Sequence, residues 1–198
     1  EEKGFAEGQL NGKTTIWVNP EEKQSEKFYK DGKLDGPSTN WVNGYRTTMT
    51  NYKLDNPDGP WAIWYPKSDQ IKEKGYHQIG IKEGLTTYYY KDGTMQREGF
   101  LKQGSPNGIW TYWNSKGEKD FEFDFGENLE HIILNQLVER ESVFYKPGED
   151  QPFTGVITDE NADAGYLFLG RTNKGKKDGP WIKWSPSGKK VPEILIVD

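Results

Sequence analysis

The sequence predicts an all-β fold: an elongated antiparallel meander of repeated β-hairpins forming a single-layer sheet. Three observations carry this. A glycine-framed motif returns about every 24 residues, an aromatic stands at a fixed distance after it, and short runs rich in Thr, Tyr, Trp and Ile alternate with turn-forming residues.

The repeat comes first. The segments GQLNGKTTIW (8–17), GKLDGPSTNW (32–41), DNPDGPWAIW (55–64), GIKEGLTTYY (80–89), GSPNGIWTYW (104–113) and GKKDGPWIKW (175–184) align on Gly12, Gly36, Gly59, Gly84, Gly108 and Gly179. Over the first five the spacings are 24, 23, 25 and 24. Gly155 lies 24 before Gly179, so the phase survives a damaged unit around residues 118–141. Five residues after the glycine stand Trp17, Trp41, Trp64, Tyr89, Trp113 and Trp184, while the Gly155 unit has Glu160 there.

Each period holds two turn signals. One is the Asp-, Asn- or Glu-Gly just described. The other follows eight or nine residues later, at Asn43-Gly44, Asp92-Gly93, Lys116-Gly117 and Ser187-Gly188, with Pro66 to Asp69 replacing it once. Such pairs supply positive φ at little cost, as tight hairpins require. The strands between them are five or six residues long, two per period. Helical spacing is faint, at Leu129, Ile132, Ile133 and Leu137, and allows at most one short helix near 129–138. The expected organisation is one continuous repeat domain. It has five hairpin repeats in 1–127, a degenerate connecting segment in 128–154 and further repeats in 155–198.

Alternation assigns faces. Positions 1, 3 and 5 after the glycine share one face, so Trp17, Trp41, Trp64, Tyr89, Trp113 and Trp184 form a column expected to join neighbouring repeats. Positions 2 and 4 share the other face. There stand Trp61, Trp110, Tyr112 and Trp181, in a column that elsewhere carries Thr14 and Ser38. Variation makes this second column the better candidate for contact with a partner, although core packing would use the same residues.

Composition narrows the function. The chain has 198 residues, a net charge of −5 and no cysteine, so disulfides, thiol nucleophiles and thiolate metal sites are absent. Its acidity argues against general nucleic-acid binding. Charge is uneven: residues 118–163 carry 13 acidic and three basic side chains, and residues 171–190 seven basic and one acidic. No apolar run is long enough to span a membrane, and the basic segment allows at most peripheral contact. The chain begins at Glu1 rather than Met. An extracytoplasmic setting, periplasmic or at the surface, is therefore expected ahead of a cytoplasmic one.

Catalytic signals are lacking. His77 and His131 stand 54 residues apart without a metal-ligand pattern, and no nucleophile elbow or phosphate loop occurs. Paired carboxylates are plentiful, but a one-layer sheet offers little cleft for acid–base work. The loop DENADAG (159–165) alternates Asp159, Asn161 and Asp163 like a calcium loop, yet has Ala164 and Gly170 where Gly and Glu are needed. The reading is a non-enzyme with no cofactor and no metal.

At this point the residues carry a resemblance. The unit that opens on a Tyr or Phe and continues Gly-x-x-(Asp/Asn)-Gly-x-Trp-x-x-(Trp/Tyr)-x-x-x-Gly, as in FLKQGSPNGIWTYWNSKG (100–117), resembles the variant MORN repeat of bacterial proteins. LVERESVFYKPGEDQPFTG (137–155), followed by GKKDGPWIKW, is similar to YwqK-type antitoxins. The resemblance implies a non-catalytic scaffold that binds a protein, either a toxin or a component of an envelope complex. Two further expectations stand beside it: a glycan-binding module presenting Trp61, Trp110 and Trp181 to sugar rings, and a docking module at the envelope or membrane surface.

Overall fold

The structure, a computed structural model, describes residues 1–161, 165–184 and 190–191. The middle of the calcium-like loop and the Ser187-Gly188 turn lie outside the described residues. The chain divides into two compact units, Glu1–Asp124 and Phe125–Asp198.

The first unit is one open antiparallel sheet of eleven strands in strict sequence order. They are β1 (Glu2–Ala6), β2 (Gln9–Asn19), β3 (Glu22–Lys30), β4 (Lys33–Val42), β5 (Tyr45–Lys53), β6 (Asn56–Trp64), β7 (Ile71–Gln78), β8 (Ile81–Tyr89), β9 (Met95–Lys102), β10 (Ser105–Trp113) and β11 (Lys119–Asp124). The all-β meander read from the repeat is thus the fold of this unit.

The turns lie partly elsewhere than the motif predicts. The second class of signal does form turns, as at Asn43 and Gly44, both with positive φ. The framing glycines do not: Gly12, Gly36, Gly59, Gly84 and Gly108 sit inside β2, β4, β6, β8 and β10. The hairpin reversals come four residues earlier. There Glu7-Gly8, Asp31-Gly32, Leu54-Asp55, Ile79-Gly80 and Gln103-Gly104 all have positive φ at both residues, as tight two-residue turns demand. The framing glycines instead serve a bulge. Pairing jumps from Tyr29↔Leu34 to Lys27↔Ser38, so β4 spends two residues more than β3, and the same jump recurs in each of the other four hairpins. Gly36 reaches φ +115° to make it, a value L-residues rarely adopt.

A compensating bulge lies opposite each fifth-position aromatic. Ile16 pairs with Ser25 and Trp17 with Lys23, leaving Gln24 as the extra residue, and Thr47, Lys72, Gln96 and Asp120 are its counterparts. Neighbouring hairpins are also stitched at their turns. The N–H groups of Gly32, Asp55, Gly80 and Gly104 donate to the carbonyls of Leu10, Leu34, Pro57 and Lys82 at 2.7–2.9 Å.

The core of this unit follows one transverse row. Cross-strand pairing and close contact carry it from Lys3 and Thr14 through Lys27, Ser38 and Thr50 to Trp61, Gly75, Thr86, Gly99, Trp110 and Phe123. Each indole lies over a neighbouring glycine. A Cβ on Gly99 would fall 2.3 Å from Trp110, and one on Gly75 3.0 Å from Trp61. Trp110 uses the glycine of the strand before it, whereas Trp61 has Thr50 on that side and turns to Gly75 on the strand after it. Each buried ring removes on the order of 150–250 Å² from water.

In the second unit, β12 (Glu130–Ile133) pairs in parallel with β15 (Gly155–Asn161), which continues antiparallel through β16 (Gly165–Asn173), β18 (Ile182–Trp184) and β19 (Lys190–Val191). The short β17 (Lys176–Lys177) also pairs with β16, and β13 (Val138–Arg140) and β14 (Val143–Tyr145) form a separate hairpin. The helical signal near 129–138 is only a 3₁₀ turn, Leu134–Gln136. Phe144, Phe153, Ile157, Phe168 and Trp181 make the core. Trp181 repeats the Trp110 device, lying over Gly170 on the preceding strand.

Candidate docking surface

The structure separates the two faces of the eleven-stranded sheet by chemistry. The second position after each framing glycine is buried throughout, whereas the fourth ranges from buried Tyr112 to exposed Asn40, and third-position Thr15, Ala62 and Thr87 are buried on the opposite face. Trp61, Trp110, Tyr112 and Trp181 are each 8% exposed or less, and the smaller second-position residues Thr14, Ser38 and Thr86 are equally buried. Trp110 and Trp181 donate their indole N–H to the carbonyls of Phe100 and Arg171 at 3.1 and 3.0 Å, each the residue after the covered glycine. Tyr112 stacks on Phe121 at 4.4 Å. The sequence left these residues open between binding and core, and they are core. A glycan cannot reach rings held flat against backbone, so the sugar-binding reading loses the residues it relied on.

The fifth-position column is less completely buried. Trp64 is buried and Trp17, Trp41, Tyr89 and Trp113 are half-buried; the side chain of Trp184 lies outside the described residues. The column is linked through the strands that run between its rings. Its rings are spaced two strands apart, about 9–10 Å, too far for ring-on-ring packing. Cations fill the gaps: Lys23 Nζ stands 5.6 Å from Trp17 and 5.5 Å from Trp41, Arg46 5.8 Å from Trp64, and Lys74 5.2 Å from Tyr89. Lys23 also donates to Glu26 at 2.9 Å, and this bond holds the Glu26 carboxyl below its ordinary pKa. Continuity between repeats rests on tyrosines one residue further along. Tyr65 donates to the Tyr89 carbonyl at 2.7 Å and Tyr90 to the Trp113 carbonyl at 2.9 Å.

The same face as that column carries a feature the sequence reading missed. Its first positions, Pro60, Leu85 and Ile109, pair across the sheet with Tyr76, Phe100 and Asp124 respectively. On four consecutive strands, β7 to β10, Tyr76, Leu85, Phe100 and Ile109 are exposed at 58, 45, 57 and 61%. Leu85 pairs with Phe100, whereas Tyr76 pairs with Glu83 and Phe100 with Asn107, each two residues before the next apolar side chain, so the row runs obliquely across the sheet. Exposed Pro60 extends the row onto β6. Large apolar side chains scattered singly need no explanation, but a contiguous row on adjacent strands does. The signal was present in GLTTYY and GIWTYW, where Leu85 and Ile109 follow the framing glycine directly. The odd strands hid it, because the opening aromatic of the unit, Phe100 and by the same spacing Tyr76, falls outside the glycine-aligned segments from which the faces were read.

The remaining candidates resolve simply. His131 stacks on Phe125 at 5.5 Å, and burial lowers its pKa. His77 lies 5.8 Å from Trp61, with its pKa lowered first by burial and then by the Lys82 ammonium. Among the described residues no group of three or more acidic, histidine or cysteine side chains is placed to hold a metal ion, and no helix is long and apolar enough to cross a membrane. Of the basic segment 171–190, residues 185–189 lie outside the described residues. No protein-family model matches the chain, and no curated protein matches it.

Proposed function

We propose that this chain is a non-catalytic repeat scaffold that binds a protein partner through the exposed apolar row Tyr76–Leu85–Phe100–Ile109. The observation that carries the proposal is the asymmetry of the sheet. One face turns its tryptophans inward over glycines, while the other leaves four large apolar side chains in water on adjacent strands. Leaving that much apolar surface hydrated costs about 25 cal/mol per Å², which a partner recovers. The likeness of the repeat to variant MORN repeats agrees with a scaffold role, and its sharpest form is an antitoxin or immunity protein whose partner is a toxin.

Site-specific photocross-linking in the native host tests this. With a benzophenone side chain at position 100, a discrete cross-linked protein is expected; with the same group at the exposed turn residue Lys67, none. Equal labelling from both positions, or none from either, overturns the proposal.

A further inference from the structure

We propose that the occupant of the Tyr76–Leu85–Phe100–Ile109 row is a cationic amphipathic α-helix of the partner, lying across the strands. This rests on the docking reading above and adds to it the shape and charge of what binds.

Shape comes from pitch. Adjacent strands are about 4.8 Å apart, so the four side chains mark three steps of about 14 Å in total across the strands, stepping obliquely because Tyr76 and Phe100 pair with Glu83 and Asn107. An α-helix presents one apolar side chain per turn along its stripe, each turn rising about 5.4 Å, and covers three steps in about 16 Å. An extended strand repeats on one face every 6.7 Å or so and overshoots to about 20 Å. The helix stays within about 2 Å of register over the row and the strand does not. Anchors at i, i+4, i+7 and i+11 thus meet the four exposed side chains in turn.

Charge comes from within the row and from the rows that border it. Glu83 pairs with Tyr76, and Asp58 lies two residues before Pro60 on β6. On the other side run Glu98 and Glu122, opposite Thr87 and Thr111, and Asp124 closes the row beside Ile109. Lys74 and Lys102 are the cations on this side of β7 and β9, and Lys119, opposite Trp113, is engaged with Glu122 at 2.7 Å. Lys82 and Arg97 belong to the other face, where Lys82 stands over Trp61 and Arg97 over Tyr88. With the Lys119–Glu122 pair set aside, four carboxylates against two ammonium groups border an apolar strip, which suits a helix with leucine-like anchors between lysines or arginines. A second copy of the chain would set this acidic border against its own like, so self-association is the poorer occupant.

The test uses the full chain and three synthetic peptides of about 15 residues, followed by fluorescence anisotropy. The first carries leucines at i, i+4, i+7 and i+11 with lysines elsewhere; the second replaces lysine by glutamate; the third alternates leucine and lysine to favour a strand. Saturable binding of the first alone is expected, weakened about tenfold by Phe100→Ser and by Ile109→Ser and unchanged by Phe5→Ser, another exposed aromatic. All three positions are exposed, and circular dichroism checks that each variant folds. Comparable binding of the glutamate or alternating peptide overturns the proposal. So does wild-type affinity in Phe100→Ser, absence of binding, or concentration-dependent dimerisation that Phe100→Ser abolishes. A cross-link from position 100 together with failure of the helical peptide rejects the helix and leaves the docking reading standing; loss of the cross-link rejects both.

Discussion

Three tryptophans occupy the same repeat position and do not contribute equally. Trp110 and Trp181 each satisfy the indole N–H with a carbonyl beside the glycine they cover. Trp61, turned to the other neighbouring strand, has a buried Nε1 with no hydrogen-bond partner. Replacing an indole by a phenyl ring removes similar volume at both sites, so the difference between them reads the hydrogen bond. At position 110 the change strands the Phe100 carbonyl, whereas at position 61 it removes a donor that was already costing free energy. Trp110→Phe is expected to destabilise by about 1–3 kcal/mol more than Trp61→Phe, as read from urea midpoints at constant slope. Equal losses would show that ring packing alone decides both sites. Histidine gives a second check at this scale. The pKa of His131 is lowered by burial, so the unfolded chain takes up the proton first. Stability present above the unfolded value of about 6.5 is therefore lost as pH falls through it toward the folded value. His131→Gln should flatten that part of the stability–pH curve for the second unit, and an unchanged slope counts against the burial.

At the scale of the element, the repeat encodes a bulge more plainly than a turn. An Asp- or Asn-Gly pair signals positive φ, and nothing local says whether that φ closes a hairpin or absorbs two extra residues within a strand. The decision is made by the second glycine or turn residue four positions earlier, whose N–H finds a carbonyl in the preceding hairpin. This is why strand count and order were legible from the period, and the turns at Asn43-Gly44, Asp92-Gly93 and Lys116-Gly117 with them, while the turns next to the framing glycines were not. It also grades the glycines. Gly36 has φ +115°, and an added Cβ would lie 3.0 Å from the Phe28 Cβ; Gly12 has φ +84° and open space around it. Both alanine variants bear backbone strain of about 1 kcal/mol or more, but only Gly36→Ala adds a steric clash. Gly36→Ala should therefore lower the thermal midpoint clearly more than Gly12→Ala, and the reverse order would remove the packing argument. The two faces hold their rings differently. The rings at position 5 are buried or half-buried, and because their neighbours are two strands away, cations occupy the space between. The variable position 2 is where indoles find glycines.

Across the first unit, the transverse row that forms the packed face changes character along its length. From β1 to β5 it consists of Lys3, Thr14, Lys27, Ser38 and Thr50; from β6 to β11 it holds Trp61, Thr86, Trp110 and Phe123 with two glycines beneath the rings. Hairpins in such an array touch only their sequence neighbours, so stability is close to a sum of local terms and nearest-neighbour interfaces. The tyrosine links between repeats follow the same gradient, since Tyr65 and Tyr90 make theirs to β8 and β10, and at the corresponding earlier positions stand Val18 and Val42. Both observations predict that the sheet opens from its β1 end. Hydrogen exchange should show amide protection rising from β2–β4 to β8–β10, with the early hairpins exchanging by local opening at free energies below the global value. Uniform protection over all eleven strands would mean that the backbone stitching at the turns, common to every hairpin, outweighs the rings. The exposed row on β7 to β10 lies at the well-anchored end of this gradient. A docking surface there needs no ordering when the partner arrives, and so loses little of its binding free energy to entropy.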